Sequence, residues 1–108
     1  MSHKVKVLAY AKDDYREIRG YVKRKFGDKV WMTVEADFKK LLLQIADMPL
    51  AGFVPEEIEA LGLVHYRQRL VGQTRVIYQI KGEEIFVHMF VDTGKDFASV
   101  LYDRLMSK

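Results

Sequence analysis

The sequence predicts an α+β domain: an N-terminal edge strand, an antiparallel helical hairpin laid on a small, mostly antiparallel sheet, and a short C-terminal helix. Three observations lead there. Residues 13–48 place apolar side chains at helical spacing, interrupted once at Gly27–Asp28. Residues 63–92 fall into three runs rich in β-branched and aromatic residues, separated by "GQ" and "KGEE". Consecutive strands with such short loops make an antiparallel meander, on which the helical hairpin packs.

The elements follow in order. Residues 4–10, "KVKVLAY", alternate Lys with Val, as expected of a short edge strand with its lysines outward. A helix is expected from Asp13, with Tyr15, Ile18, Tyr21, Val22 and Phe26 on one stripe. Asp13 and Asp14 suit its start, and Lys23, Arg24 and Lys25 suit its end, through the helix dipole. Gly27 ends it and Asp28 is placed to cap the next helix, which carries Val30, Trp31, Val34, Phe38, Leu41, Leu42 and Ile45 and stops before Pro49. Residues 49–62 form an irregular connection with one helical turn expected after Pro55. Strands at 63–71, 74–80 and 84–92 then form a meander. Asp96 opens a last helix with Phe97, Val100, Leu101 and Leu105 on one side.

A chain of 108 residues that is 49% hydrophobic fits a single domain over residues 1–108. Cysteine is absent, which excludes disulfides and thiolate metal sites, and the three histidines show no paired ligand spacing, so neither metal nor cofactor is expected. No apolar run matches a membrane span, and the opening "MSHKVKVLAY" lacks the apolar segment of a signal peptide. The cytoplasm is the expected location. The net charge of +3 is modest, but its distribution is informative. Residues 51–62 hold three acids and no base, whereas residues 63–80 hold Arg67, Arg69 and Arg75 and no acid. That segregation favours an anionic partner near the sheet.

Strand parity decides where those arginines point. Val76, Tyr78 and Ile80 should meet the helices, joined by Ile85, Val87, Met89 and Val91 if Lys81 pairs with Glu84. A three-residue loop, Gly72–Thr74, would pair Val71 with Arg75 and Arg69 with Ile77. Arg67, Arg69, Arg75, His65 and His88 would then share the other face, with Phe86 and Phe90 beside them. A two-residue loop would set Arg69 against Val76 and bury a guanidinium among aliphatic groups, at a cost of several kcal/mol. The three-residue loop is therefore expected. The candidate binding surface is Arg67, Arg69, Arg75, His88, Phe86 and Phe90, with Lys95 beyond the last strand. Cations interleaved with aromatics suit RNA, or an amphipathic protein segment bearing acids. The plainer reading keeps Phe86 and Phe90 under the C-terminal helix as core.

A helical hairpin, then "P..G", then "YRQRLVGQTRVIYQIKGEEIFVHMFVD", a basic residue and a short helix resembles the RelE/ParE superfamily of type II toxins. The resemblance covers nearly the whole chain, and "TRVIYQI" followed by a turn and an apolar strand is its most specific part. It implies a small toxin held inactive by a cognate antitoxin. RelE-like members cut messenger RNA on the ribosome without metal, whereas ParE-like members poison DNA gyrase. Carried onto this sequence, Arg67 and Arg69 match the paired basic residues of the nuclease branch, and Arg75 matches its "YR" arginine. Tyr102 matches the C-terminal tyrosine if one residue is inserted near Gly94. The segment "TGKD" departs from many relatives, since Gly94 and Asp96 stand where arginines are common and only Lys95 remains.

Metal-free RNA cleavage needs a base, cations for the charged transition state and an acid. Arginines serve the second role and are poor bases. His65, His88 or Tyr102 would have to supply the others, and no strand carboxylate shares the expected arginine face. The long hairpin and this incomplete set favour the ParE-like branch, with gyrase as target. The alternatives are a RelE-like nuclease acting on ribosome-bound message, in which Arg67, Arg69, Arg75 and Tyr102 would be catalytic, and an inactivated binding-only relative.

Overall fold

The computed structural model describes residues 2–63 and 65–106, with the backbone alone at Leu105. The expectations that placed Val64 in a strand and the Leu105 side chain on the apolar side of the last helix lie outside the described residues. The order is β1 (Lys4–Val7), α1 (Ala9–Phe26), α2 (Asp28–Asp47), a 3-10 turn (Pro49–Ala51), α3 (Glu56–Ala60), β2 (Tyr66–Val71), β3 (Thr74–Lys81), β4 (Glu84–Asp92) and α4 (Phe97–Met106). The strands lie in the order β1-β4-β3-β2, with β1 parallel to β4 and the other pairs antiparallel. This is the α+β arrangement the sequence predicts.

α1 starts four residues earlier than expected. Leu8 donates its N–H to Val87 O as the last ladder bond of β1, and its own carbonyl accepts from Lys12 N at 2.9 Å as the first bond of the helix. The chain thus passes from strand to helix within one residue, and no side chain caps the start. At the other end Gly27 serves both helices. Its φ of 93° is open to glycine, its N–H reaches Lys23 O, and its carbonyl accepts from Trp31 N. Asp28 makes no capping bond.

The hairpin packs on one face of the sheet. Tyr15 meets Trp31, Phe38 and Phe90 at ring-centroid distances of 5.4–5.5 Å, around Leu41, Ile45, Val76, Tyr78, Ile85 and Val87. The opposite face is covered as well. Ile58 of α3 and Phe97 and Leu101 of α4 bury Ile77, Met89 and Val91 beneath them. An open face was expected there; the chain's own apolar groups close it.

The register explains the difference. Val71 pairs with Thr74, so the first hairpin loop is the two residues Gly72–Gln73 and not three. Gly72 and Gly82 each take a positive φ (56° and 60°) at the first loop position, as a tight type II′ hairpin requires. Lys81 pairs with Glu84 as predicted. Within β4, however, Ile77 pairs with Met89 and Tyr78 with Val87, leaving His88 as an extra residue. This bulge reverses the strand's parity. Ile85 and Val87 face the hairpin, whereas Met89 and Val91 face α4.

Candidate functional site

The three arginines separate. Arg67 lies opposite Tyr78 and Arg69 opposite Val76, both on the hairpin side, while Arg75 lies opposite Leu70 on the α4 side. The common arginine face is therefore corrected to two faces. Arg69 escapes the burial cost that argued against this register because β2 is the edge strand. Its stem crosses apolar surface while its Nη2 reaches Gln44 Oε1 at 3.0 Å, at an exposed position. A hollow of about 500 Å³ opens beside it, lined by Gln44, Asp47, Met48, Ala51 and Arg69.

Arg67 is committed to structure. Its Nη1 donates to Gly52 O at 2.8 Å, and the same stretch receives Tyr78, whose hydroxyl donates to Pro49 O at 2.6 Å. Phe53 bridges to Gln68 through two backbone bonds, so residues 49–53 are strapped along the β2 edge. Gly52 is essential to the strap, because a Cβ there would stand 2.3 Å from Tyr78 Oη and 2.8 Å from Gln68 O. This gives a physical reason for the "P..G" spacing. Burial raises the Tyr78 pKa, with the Gly52 backbone bond and then Arg67 and Arg69 opposing that shift.

Arg75 is half-buried beneath α4. Its guanidinium carbon lies 5.0 Å from the centroid of the Phe97 ring, and Nη1 donates to Gln68 Oε1 at 3.2 Å. Among the described residues its buried Nε has no hydrogen-bond partner. His88 does lie on this face, its ring tilted against Tyr66 at 5.1 Å between centroids, with Nε2 3.0 Å from Gln79 Oε1. Burial lowers its pKa, and Lys81 and Arg104 lower it further, so the ring is neutral at pH 7. Phe86 is half-buried, with Lys6 and Lys81 each 5.9 Å from its ring centroid. Phe90 is corrected from the arginine face to the hairpin core, because the bulge turns it toward Tyr15 and Phe38. Lys95 and Tyr102 are exposed. In "TGKD", Gly94 N donates to Asp92 Oδ1 at 2.6 Å, and Asp96 accepts from Ser99 Oγ inside the first turn of α4.

Sequence reasoning missed a two-pronged, part-buried ion pair between the first and last helices. Arg104 Nη2 meets Asp14 Oδ1 and Oδ2 at 2.8 and 3.1 Å, and its Nη1 donates to His88 O at 2.8 Å. Asp14 Oδ2 in turn accepts Phe90 N. The pair therefore takes up two backbone groups at the bulge, His88 O and Phe90 N, and ties α4 to α1. A sequence separation of 90 residues gave no local signal for it.

No group of three His, Asp or Glu side chains among the described residues is arranged to hold a metal ion, and none of the described helices is long and apolar enough to cross a membrane. The family model for the ParE toxin of the type II toxin–antitoxin system, parDE, matches residues 5–96. The chain belongs to the ParE toxin family. ParE membership makes it a RelE/ParE superfamily toxin, as the resemblance implied. Among solved structures, the chromosomal ParDE system from P. aeruginosa superposes with a TM-score of 0.69 at 14% identity, covering 84% of this chain and 96% of that one. At that identity the likeness concerns the fold. No curated protein matches the sequence. In this ParE chain, then, the residues expected to act together occupy separate environments: Arg69 at an exposed edge, Arg67 on the strap, Arg75 and His88 under or beside α4, and Tyr102 on the outer side of α4.

Proposed function

We propose that this chain is a cytoplasmic toxin that acts on DNA gyrase in the ParE manner and is held inactive by a cognate antitoxin. The observation that carries the choice of gyrase over messenger RNA is the division of the arginines between two faces of the sheet. Stabilising a phosphorane-like charge needs cations converging on one point, with an acid and a base within hydrogen-bond reach. Here Arg67 serves Gly52, Arg75 serves Gln68 and Phe97, and neutral His88 is engaged by Gln79. Membership of the ParE family supports the same reading.

For the antitoxin, the favoured surface is the β2 edge, where Arg69 lines a hollow with Met48, and Leu50 and Phe53 of the neighbouring strap are exposed. Apolar anchors around a guanidinium that makes no ion pair among the described residues suit an amphipathic segment carrying acids. Its binding is expected to weaken about tenfold or more in Arg69→Glu, and affinity within twofold of the parent would move the antitoxin elsewhere.

The target is tested by incubating the chain with gyrase, ATP and supercoiled plasmid, then stopping with detergent and protease. Linear DNA that rises with toxin and disappears with antitoxin is expected. Its absence at large toxin excess, together with cuts in translated message that vanish in Arg75→Ala, would replace gyrase by the ribosome. Normal growth on strong induction of the unaltered sequence would favour a binding-only relative.

A further inference from the structure

The tip of the helical hairpin concentrates positive charge beside exposed apolar groups. Residues 21–30 hold four cations, Lys23, Arg24, Lys25 and Lys29, against one carboxylate, Asp28. That stretch alone accounts for the chain's formal excess of +3, and the rest of the sequence balances. Three cations in the last turn of α1 complement its dipole, which explains part of the charge. It does not explain the apolar groups among them. Tyr21, Phe26 and Val30 are 50%, 56% and 41% exposed and belong to neither buried cluster. Their arrangement is ordered: the Tyr21 and Phe26 rings meet edge-on at 6.4 Å, and Lys25 Nζ donates to Tyr21 Oη at 3.1 Å.

We propose that this tip is a docking surface for an acidic protein segment that brings apolar side chains, separate from the β2 edge. An exposed aromatic centre with a charged rim has the anatomy of a protein interface. Lys25 stands beside both rings, donating to Tyr21 Oη at 3.1 Å and lying 5.7 Å from the Phe26 centroid, so an acid that pairs with it is carried onto the aromatic groups themselves. A carboxylate can pair with Lys25 where it stands, leaving Tyr21, Phe26 and Val30 to receive apolar groups. Lys23 sits 3.9 Å from Asp28, a contact too long and exposed to neutralise the patch.

The test uses the whole chain and four probes: a labelled peptide of glutamate and leucine at amphipathic helical spacing, poly-aspartate, single-stranded oligothymidylate, and phosphatidylglycerol vesicles. Measured in an Arg69→Glu background, so that the β2 edge does not contribute, the glutamate–leucine peptide should bind tightest and lose about tenfold in affinity in Lys25→Glu and a similar factor in Phe26→Ser. All these positions are solvent-exposed or partly so, so the variants should fold, and unchanged circular dichroism will check it. Poly-aspartate binding as tightly as the peptide would reduce the patch to counter-ion attraction and overturn the proposal. Stronger binding of oligothymidylate or vesicles, or indifference to Lys25→Glu and Phe26→Ser, would overturn it equally.

Discussion

Replacing Arg104 by methionine keeps much of its aliphatic stem but removes the charge that holds α4 to the rest of the chain. Three contacts disappear, to His88 O, Asp14 Oδ1 and Asp14 Oδ2. Asp14 is left as a largely buried carboxylate with only Phe90 N to satisfy it. Exposed ion pairs contribute less than about 1 kcal/mol, whereas breaking a fully buried one costs about 3–5 kcal/mol. Both side chains here are 19% exposed, which lies nearer the buried limit. A loss of about 2–3 kcal/mol is therefore expected for Arg104→Met, against a total stability of about 5–15 kcal/mol for a domain. Urea titration followed by the fluorescence of the single, buried Trp31 measures it, as a lower midpoint with unchanged slope. Asp14→Asn and the double variant complete a cycle, in which a coupling energy of about 1.5 kcal/mol or more is expected. Coupling below about 0.5 kcal/mol would mean that the two groups act independently and that the clamp does not operate in solution.

Three further outcomes follow from the geometry. His88 has a folded pKa below its ordinary 6.5, so the unfolded chain takes up its proton first as pH falls. Its contribution should be complete above 6.5 and decline as pH drops through the folded value, and His88→Gln should flatten that decline in a urea series; an unaltered slope would assign the acid sensitivity elsewhere. Gly52→Ala should cost about 3 kcal/mol, because Gln68 O belongs to a strand and cannot retreat, while Tyr78→Phe should cost about 1 kcal/mol by losing the bond to Pro49 O. A Gly52→Ala midpoint equal to the parent's would show that the strap is looser than described. Arg75→Met should change stability by no more than about 1 kcal/mol, since it removes an unpartnered buried Nε along with the Gln68 bond; a loss above about 3 kcal/mol would contradict that balance.

The order of elements was legible because it rests on local signals: helical spacing, glycine at the hairpin junction, and short polar loops between β-rich runs. What failed was inference across strands. The two-residue loop was set aside on the cost of burying Arg69, an argument that holds for a central strand. At an edge the side chain is long enough to reach Gln44 and water. The bulge at His88 left no trace because both parities of β4 read as apolar, with Phe86 and Phe90 as greasy as Val87 and Met89. Once parity reverses midway, no rule of alternation can put Phe90 on the correct side. Arg104 and Asp14 were each legible as a charged helix residue, and only the fold reveals them as partners. The expected gathering of the arginines on one face therefore failed at the pairing of the strands.

Because the odd-numbered residues of β4 face one layer before the bulge and the other layer after it, the strand works like a crankshaft between two otherwise insulated interiors. A ligand that pried α4 away would withdraw Arg104 from His88 O and disturb the carboxylate that holds the Phe90 amide, a group whose ring belongs to the far interior. Strain applied on one side of the ribbon would thus arrive on the other as loosened aromatic packing around Tyr15, without any route through solvent.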